Sequence, residues 1–256
     1  MPPREAPTDP LLRAPVEAAT ELTLQGAFAL DALNTARLRF RAINPKEAFT
    51  VRDAAGAWFR ASLVAYDAAG ASALAYEQLR QCPESPLAIT LVNAVPQRQR
   101  MLWVVQKAAE LGVAAIAPVF TERSVQADGL AHEKAHAWPG QALKGTRQSR
   151  RAVVPEVLAA STLRDAFAAA WWSAAELKIV VDDRAQLRAE AFDARPGTVA
   201  LVVGPEGGFS DRERAALHDA GAVSWCLGGR VLRAETAAIA GIALLQHRFG
   251  DLVPGA

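Results

Sequence analysis

The sequence predicts an α/β protein in two parts: a small N-terminal β domain and a larger domain with an open sheet of parallel strands and flanking helices. Residues 22–80 contain short stretches of alternating apolar and polar residues around glycines, which is typical of strands joined by tight turns. Residues 86–256 alternate continuous apolar runs with helical patterns, which is typical of parallel βα units. The length of 256 residues accommodates both parts, and we place the domains at residues 1–84 and 85–256.

Composition and the N-terminal residues exclude several classes of protein. The chain is 51% hydrophobic and 21% charged, as in soluble globular proteins. Cys82 and Cys226 are far apart and form no CxxC pair, which excludes a disulfide framework and a cysteine-based metal site. The first residues lack the basic end and apolar run of a signal peptide, and no stretch of about 20 apolar residues is present. We therefore expect a cytoplasmic protein that does not span a membrane.

The elements of the first domain follow from its prolines and glycines. Five prolines within the first 15 residues predict an irregular arm and not a helix. Residues 49–79 alternate apolar and polar side chains, with turn chemistry at Gly56 and Gly70. These residues are expected to form the strands of the small β domain.

The second domain begins with a strand, a helix and a strand. The apolar run of residues 87–92 predicts the first strand, residues 101–112 a helix, and residues 114–120 the second strand. Further strands are predicted at residues 178–183, 198–204 and 222–228, and further helices at residues 161–177, 210–221 and 235–249. This alternation predicts one open parallel sheet covered by helices.

Two basic clusters stand out in a chain whose net charge is +1. No acid occurs among residues 37–46 or among residues 144–151. Such clusters bind phosphate in nucleic-acid-binding proteins, although solvated surface arginines are also common. The cations are Arg37, Arg39, Arg41, Lys46, Lys144, Arg147, Arg150 and Arg151.

The segment HEKAH has the spacing of a helical zinc site. His132 and His136 would be the first two ligands, and Glu156 would be a third. Against this, Lys134 would place a cation between the ligands, Pro139 interrupts the helix, and the flanking residues are polar. We therefore disfavour a zinc peptidase and predict no metal site.

The glycine-rich segment GPEGGFS, residues 204–210, joins a predicted strand to a predicted helix. Ser210 and Glu213 form a capping-box pattern at the start of that helix. The loop therefore lies at the carboxyl end of a parallel strand, where α/β sheets bind ligands. It matches neither of the common phosphate-binding glycine motifs, and Glu206 would repel a phosphate. The pattern is compatible with a polar ligand other than phosphate and with a plain tight turn.

A second loop, LGGRVLRAETA at residues 227–237, leads from the next strand into the last helix. It combines flexible glycines with Arg230, Arg233, Glu235 and Thr236. We expect this loop and GPEGGFS to lie side by side at neighbouring strand ends. The combination favours a functional site over a surface turn.

Together the two loops resemble the signature GPEGG...LG.RILR.ETA of the RsmE-like methyltransferases of the SPOUT superfamily. The segments at residues 106–113, 122–124 and 148–157 also resemble segments of this family. Its members transfer a methyl group from S-adenosylmethionine (SAM) to N3 of a uridine in 16S ribosomal RNA. The resemblance implies a SPOUT domain whose parallel sheet is threaded as a trefoil knot, preceded by a PUA-like β barrel. It also implies a homodimer that acts on 16S ribosomal RNA or the small ribosomal subunit.

The resemblance also assigns roles to residues by position. The implied cofactor-binding residues are Gly204, Glu206, Gly207, Gly208, Leu227, Gly228, Arg230, Val231, Leu232 and Thr236. The candidate RNA-binding residues are Arg37, Arg39, Arg41, Arg123, Lys144, Arg147, Arg150 and Arg151.

Methylation of uridine N3 makes demands that the residues can meet. The acceptor nitrogen must be positioned for in-line attack, it must lose its proton, and the resulting charge on the flanking carbonyl oxygens must be stabilised. Arg233 is the candidate cation for that charge. Glu235 is a candidate proton acceptor, but it would equally serve to hold Arg233 or to cap the last helix.

The chain departs from the family pattern at two segments. Residues 97–98 read Gln-Arg instead of Lys-Gly, and Leu102 replaces an acid. Residues 147–151 read RQSRR where the family reads EQSGR, so Arg147 replaces an acid and Arg150 replaces a glycine. This more basic segment leaves two alternatives open: a SPOUT enzyme for another RNA, and an RNA-binding homologue without turnover.

Overall fold

The structure is a computed structural model that describes residues 9–68, 70–185 and 195–252. Contacts within the chain divide it into two compact units. The N-terminal unit comprises the chain up to Glu84 together with Thr146–Val154, and the C-terminal unit comprises Ser85–Gly145 and the residues from Pro155 onward. The predicted boundaries left out the return of residues 146–154 to the first unit.

The N-terminal unit contains a five-stranded sheet. Its elements are α1 (Pro10–Arg13), β1 (Val16–Glu17), β2 (Ala27–Leu30), α2 (Ala32–Phe40), β3 (Ala48–Arg52), β4 (Trp58–Tyr66) and β5 (Ala71–Gln78). The strand order is β1-β3-β4-β5-β2, and all pairs are antiparallel except β1 with β3. Alternate residues of β4, namely Phe59, Ala61 and Leu63, are buried in the core, as the alternating sequence predicts.

The irregular arm expected at the N-terminus is wrong for residues 10–13, which form the short helix α1. Pro10 occupies the start of this helix, where its missing N–H has no intrahelical partner to lose, and Asp9 accepts a hydrogen bond from the N–H of Leu11 at 2.9 Å. The proline therefore begins the helix and does not prevent it.

Two arginines of the first basic cluster are buried beneath this arm. Arg37 is 5% exposed and donates to the carbonyl oxygens of Leu11 and Pro15. Arg41 is 4% exposed and donates to several carbonyl oxygens, including that of Ala152 at 2.9 Å. Burial lowers the pKa of Arg41 to about 10, and the neighbouring charge of Arg37 adds to the shift. These two guanidinium groups hold backbone in place.

The segment of residues 146–154 is fixed within the same unit by acids. Glu84 pairs with Arg151 at 2.7 Å and accepts backbone N–H groups of residues 152–153. Arg147, which stands where the related family has an acid, pairs with Glu47 at 2.9 Å. Arg147 and Arg151 thus each have a carboxylate partner within this unit, whereas Arg150 has no ion pair among the described residues.

The C-terminal unit contains a parallel sheet, as predicted, but with seven strands instead of the five expected. The strands are β6 (Ala88–Ala94), β7 (Ala115–Phe120), β8 (Glu156–Val157), β9 (Ser161–Thr162), β10 (Leu177–Val181), β11 (Thr198–Val203) and β12 (Val223–Trp225). Their order is β12-β10-β11-β6-β7-β8, and β9 also pairs with β7. Every pairing in this sheet is parallel.

Helices cover both faces of this sheet. They are α3 (Arg100–Glu110), α4 (Trp138–Ser149), α5 (Leu163–Ala168), α6 (Ala170–Ala174), α7 (Asp211–Asp219) and α8 (Ala234–Phe249). Ile89 and Leu91 of β6 belong to a core cluster with α3 and α8, whereas Val92 and Ala94 belong to a cluster with α5, α6 and α7. The strands are therefore buried on both faces, which explains their continuous apolar sequences.

Among the described helices, none combines the length and the apolar character needed to cross a lipid bilayer.

Candidate active site

A cleft of about 220 Å³ opens at the carboxyl ends of the parallel strands in the C-terminal unit. The loop after β11, residues 204–209, forms one wall, and the loop after β12, residues 227–232, forms another. Asp182, Asp183 and Arg184, which follow β10, also line the cleft. The expectation that the two glycine-rich loops follow neighbouring strands is wrong, because β10 lies between β11 and β12.

The cleft gathers most of the residues singled out as cofactor-binding. The lining includes Gly204, Glu206, Gly207, Gly208, Leu227, Gly228, Arg230, Val231 and Leu232. Thr236 is absent from the lining and lies exposed in the first turn of α8. The two loops, which are separated by 17 residues in sequence, thus face one cavity.

Two glycines explain why these loops have their shape. Gly208 has a φ of +66° and Gly228 a φ of +135°, and residues with side chains rarely adopt such conformations. A Cβ at Gly228 would have no atom within 4 Å, so backbone conformation, and not crowding, requires the glycine there. Both loops therefore expose backbone to the cleft in conformations that depend on glycine.

An ion pair fixes the β10 end of the cleft. The Nε of Arg214, in α7, donates to Oδ2 of Asp182 at 2.9 Å, and the same guanidinium donates to the carbonyl oxygen of Phe209. Burial tends to raise the pKa of Asp182, but the backbone N–H of Arg184 and the charge and hydrogen bond of Arg214 outweigh it and lower that pKa. Asp182 therefore joins three elements around the cleft as a carboxylate.

Arg100, the first residue of α3, joins the two loops. Its Nη1 donates to Oε1 of Glu206 at 2.8 Å, and its Nε lies 3.6 Å from Oε1 of Glu235. Sequence reasoning missed Arg100, because its partners lie more than 100 residues away. The family pattern at residues 97–98 and 102, which flank Arg100, was a usable signal. Asp182 was also missed, although its place directly after an apolar strand was a usable signal.

The two residues proposed for catalysis occupy different environments. Arg233 precedes α8 as its N-terminal cap residue, and its side chain is exposed and outside the cleft lining. The carboxylate of Glu235 is 14% exposed, and its Oε2 is buried without a hydrogen-bond partner in the described residues. Within the described chain, Glu235 pairs with Arg100 and not with Arg233, and no side chain caps α8. The contacts of Glu235 thus do not match two of its candidate roles, which are to hold Arg233 and to cap α8.

The candidate RNA-binding residues fall into two groups. Arg37, Arg41 and Arg151 are at most 9% exposed, so their guanidinium groups are not available to phosphate in this structure. We therefore remove these three from the set of candidate RNA contacts. In the sequence, these arginines cannot be distinguished from surface cations. Only the structure shows that their guanidinium groups bind carbonyl and carboxylate oxygens inside the protein.

The remaining candidates are accessible to different degrees. Arg39, Lys144 and Arg150 are exposed, and Arg147 is half-buried against Glu47. Arg123 is also exposed, lines the cleft, and donates from Nη1 to the carbonyl oxygen of Gly207 at 2.7 Å. The candidate phosphate contacts are therefore Arg39, Arg123, Lys144, Arg147 and Arg150.

The HEKAH segment does not form a zinc-binding helix. Lys134 has a φ of +54°, which interrupts helical geometry between the two histidines, and residues 135–137 form a single 3₁₀ turn. Glu133, which is 4% exposed, accepts the backbone N–H groups of Arg98 and Gln99. In the described residues no group of three or more potential ligands could hold a metal ion.

Comparison with known proteins assigns the class of the fold and its cleft. The family model described as an RNA methyltransferase domain matches residues 83–246, which contain every loop of the cleft. A Buchnera aphidicola relative, a ribosomal RNA small subunit methyltransferase E, is 33% identical over 175 residues, which cover 66% of this chain and 69% of the relative. The Mycobacterium bovis protein of the same description is 32% identical over 82% of both chains.

Solved structures agree with this class. The ribosomal RNA small subunit methyltransferase E of Neisseria gonorrhoeae, bound to SAM, aligns with a TM-score of 0.66 and 29% identity over 94% of this chain and all of that chain. A Legionella pneumophila methyltransferase with bound SAM gives a TM-score of 0.66 and 30% identity over 93% of this chain and 98% of that one. The chain belongs to the ribosomal RNA small subunit methyltransferase E family, which confirms the resemblance drawn from the two loops.

Proposed function

We propose that this protein transfers the methyl group of SAM to N3 of a uridine in the 16S ribosomal RNA of the small ribosomal subunit. The observation that carries the proposal is the cleft between residues 204–209 and 227–232, in a chain that belongs to this methyltransferase family. The Neisseria and Legionella relatives contain SAM. The proposed place of action is the cytoplasm.

The chemistry of the cleft suits SAM. The ligand carries a cationic sulfonium, an ammonium group and a flat adenine. Glu206 and Asp183 provide carboxylates in the lining, and Val203, Leu227 and Leu232 provide apolar surface. The open backbone at Gly228, where no atom lies within 4 Å of an added Cβ, leaves room for a ligand against the main chain. When bound, SAM supplies the electrophilic methyl group.

Glu235 is the proposed proton acceptor. Its Oε2 is a buried acceptor without a donor in the described residues, and a buried acceptor without a donor costs roughly 1–3 kcal/mol. In a complex in which the RNA displaces the atoms that cover Oε2, the N3–H of a uridine would supply that donor and then pass its proton to Oε2. The bond from N3 to the methyl carbon forms as the carbon–sulfur bond breaks, which leaves S-adenosylhomocysteine. Arg233 is proposed to stabilise the negative charge on the uridine carbonyl oxygens.

The two parts of the chain are proposed to divide the work. Residues 1–84 would form a PUA-like RNA-binding β domain, and residues 85–256 a SPOUT methyltransferase domain with a trefoil knot. The five-stranded sheet with exposed Arg39 supports the first assignment. The match of residues 83–246 to the RNA methyltransferase domain supports the second. RNA contacts are proposed for Arg39, Arg123, Lys144, Arg147 and Arg150.

A homodimer is proposed as the working form. Trp103 in α3 is 48% exposed and Leu244 in α8 is 42% exposed, and α3 and α8 pack against each other. Large apolar side chains that remain exposed on two packed helices are typical of a subunit interface.

Methyl transfer from labelled SAM tests the proposed function. The substrates are small ribosomal subunits that lack this methylation and, in parallel, total transfer RNA, and the product nucleoside is identified by mass spectrometry. N3-methyluridine in 16S RNA is the expected result. A methylated transfer RNA would instead support a SPOUT enzyme for another RNA. SAM binding without transfer to either RNA would support an RNA-binding homologue without turnover.

A further inference from the structure

We propose that Arg100 is a positioning residue that ties the SAM loop after β11 to the start of α8 and thereby fixes the carboxylate of Glu235. This inference rests on the proposed function, since it assigns Glu235 as the proton acceptor. It adds a residue that neither of the two signature loops contains, and it gives Glu133 of the HEKAH segment a role.

Arg100 lies between two carboxylates. Its guanidinium hydrogen-bonds Glu206 at 2.8 Å and lies 3.6 Å from the nearer oxygen of Glu235. The three side chains are 21%, 32% and 14% exposed, respectively, so solvent screens these charges less than on an open surface. Without the cation, both carboxylates would lose their positively charged partner.

The geometry of the guanidinium matters for this bridge. Its planar fork presents N–H groups in several fixed directions, so one arginine can contact two carboxylates at once. Lysine, by contrast, is a single point charge on a flexible chain. Glu206 lines the cleft and Glu235 does not, so Arg100 connects the SAM loop with the proposed proton acceptor.

Glu133 holds the backbone turn that precedes Arg100. The two residues before it, Arg98 and Gln99, have φ angles of +60° and +56°, and their backbone N–H groups both point to the carboxylate of Glu133. Consecutive N–H groups in such a turn form an anion-binding nest. Here the carboxylate of Glu133, 4% exposed, occupies the nest and fixes the turn immediately before Arg100.

The two oxygens of Glu235 have different surroundings. Oε1 faces Arg100, whereas Oε2 is buried and has no partner in the described chain. Arg100 therefore holds the carboxylate by one oxygen, and Oε2 would take the proton in a complex in which the RNA displaces the atoms that cover it. Loss of Arg100 should affect SAM binding through Glu206 and the chemical step through Glu235, as two separable effects.

The test compares Arg100→Met with Lys107→Met. Lys107 lies in the same helix and pairs with Glu110 at 2.8 Å, so the control also removes one cation from an ion pair with a glutamate. We expect Arg100→Met to weaken SAM binding by calorimetry about 10-fold and to lower kcat by roughly 10- to 100-fold, since small misplacement of a reacting group is costly. The control should change neither value, and Arg100→Lys should restore only part of the loss.

Double variants separate a positioning role from a general loss of structure. In a Glu235→Gln background, Arg100→Met should cause no further fall in kcat. In a Glu206→Gln background, it should cause no further loss of SAM affinity. Multiplicative losses in both backgrounds would overturn the proposal. Glu133→Gln should lower SAM affinity and kcat in the same direction but by less. Wild-type values in that variant would show that Glu133 does not position Arg100.

Hydrogen exchange of the unliganded protein tests the bridge of Arg100 without a measurement of methyl transfer. Arg100→Met should speed amide exchange in residues 204–210 and 233–237, whereas Lys107→Met should not. Unchanged exchange in both segments would overturn the bridge even if the enzyme methylates 16S RNA. Conversely, faster exchange in a protein that methylates no RNA would support the bridge and refute the proposed function. Arg100→Lys is used for the same measurement if Arg100→Met does not fold.

Discussion

At the scale of single residues, two arginines occupy backbone conformations that suit glycine. Arg98 has a φ of +60° and Arg150 a φ of +57°, and both stand where the related family has glycine. A residue with a Cβ in this left-handed region costs roughly 1–2 kcal/mol relative to its preferred conformation. The fold therefore tolerates backbone strain at two turns. At both turns the chain has a guanidinium group that a glycine would lack.

Arg150→Gly should raise the free energy of unfolding by about 1 kcal/mol, because glycine adopts this φ without the clash of a Cβ. Chemical denaturation measures the change. Arg150→Ala removes the same guanidinium but retains the Cβ, so it should bring no gain. Equal stabilities of the glycine and alanine variants would contradict a conformational origin.

Arg233→Ala should lower the rate of methyl transfer by roughly 10- to 1000-fold with little change in SAM affinity, since the exposed side chain lies outside the cleft lining and is proposed to act on the uridine. Single-turnover kinetics and calorimetry give the two quantities. Arg212→Ala, an exposed arginine of α7, is the matched control. A parallel loss of SAM affinity in the Arg233 variant would place this residue in the cofactor site instead.

At the scale of elements, the contact of Asp182 with Arg214 joins the end of β10 to α7 and to the loop after β11. Because the pKa of Asp182 is lowered in the folded protein, its carboxylate stabilises the fold above the unfolded pKa near 3.9, and this contribution is lost as the pH falls through the lower folded value. Asp182 is buried, so solvent does not replace its partners.

Asp182→Asn should lower the free energy of unfolding by roughly 1–3 kcal/mol at neutral pH. The difference from the wild type should narrow as the pH falls below about 4, because the carboxylate takes up a proton first in the unfolded chain and then, at its lower pKa, in the folded protein. Denaturation curves between neutral and acidic pH provide the test. Asp183→Asn, at the exposed neighbouring position, should show no such narrowing. A difference independent of pH would mean that packing and not charge is responsible.

The sequence predicted most strands of the parallel sheet and the helices α3, α7 and α8, but it missed α4 (Trp138–Ser149), which at 12 residues is longer than α3. Continuous apolar runs located β6, β7, β10 and β11, and the capping box of Ser210 with Glu213 forms at the start of α7. One helix expected over residues 161–177 is instead two, because Ala169 is extended with a ψ of 144° and Trp172 is buried with its Nε1–H bonded to Ala220. No glycine or proline marks that break, so the local sequence contains no signal for it.

The parts of the candidate site that are formed by short continuous segments could be predicted from the sequence. The two glycine-rich loops contain their own turn chemistry, so their residues were identified without a structure. The position of β10 between β11 and β12 and the bridge of Arg100 were not, because strand order and long-range ion pairs depend on how distant segments meet. For the same reason, the burial of Arg37 and Arg41 was not visible in their charge pattern.

At the scale of the whole molecule, the exposed cations determine how the protein is expected to meet RNA. Lys144 and Arg150 remain accessible, whereas Arg151 is committed to Glu84. Phosphate contacts release counterions, so each lost contact reduces the slope of log affinity against log salt by about 0.7 to 0.9.

Lys144→Ala combined with Arg150→Ala should therefore weaken RNA binding at low salt and reduce that slope by about 1.4 to 1.8 if both residues contact phosphate. Binding to 16S RNA fragments over a series of potassium chloride concentrations measures the slope. Arg164→Ala, an exposed cation of α5 outside the proposed set, should leave it unchanged. An unchanged slope in the double variant would show that neither residue meets the RNA backbone.

The return of Thr146–Val154 to the N-terminal unit has a consequence for synthesis of the chain. When a ribosome has released the first 84 residues, Arg41 still lacks the carbonyl oxygen of Ala152, and Glu84 still lacks the guanidinium of Arg151. The first unit therefore reaches its final state after the strands β6 and β7 of the second unit have already emerged. Folding of the first unit is therefore completed only after part of the second unit has been synthesised, and a fragment that ends at Glu84 should be less protected from proteases than the same residues in the full chain.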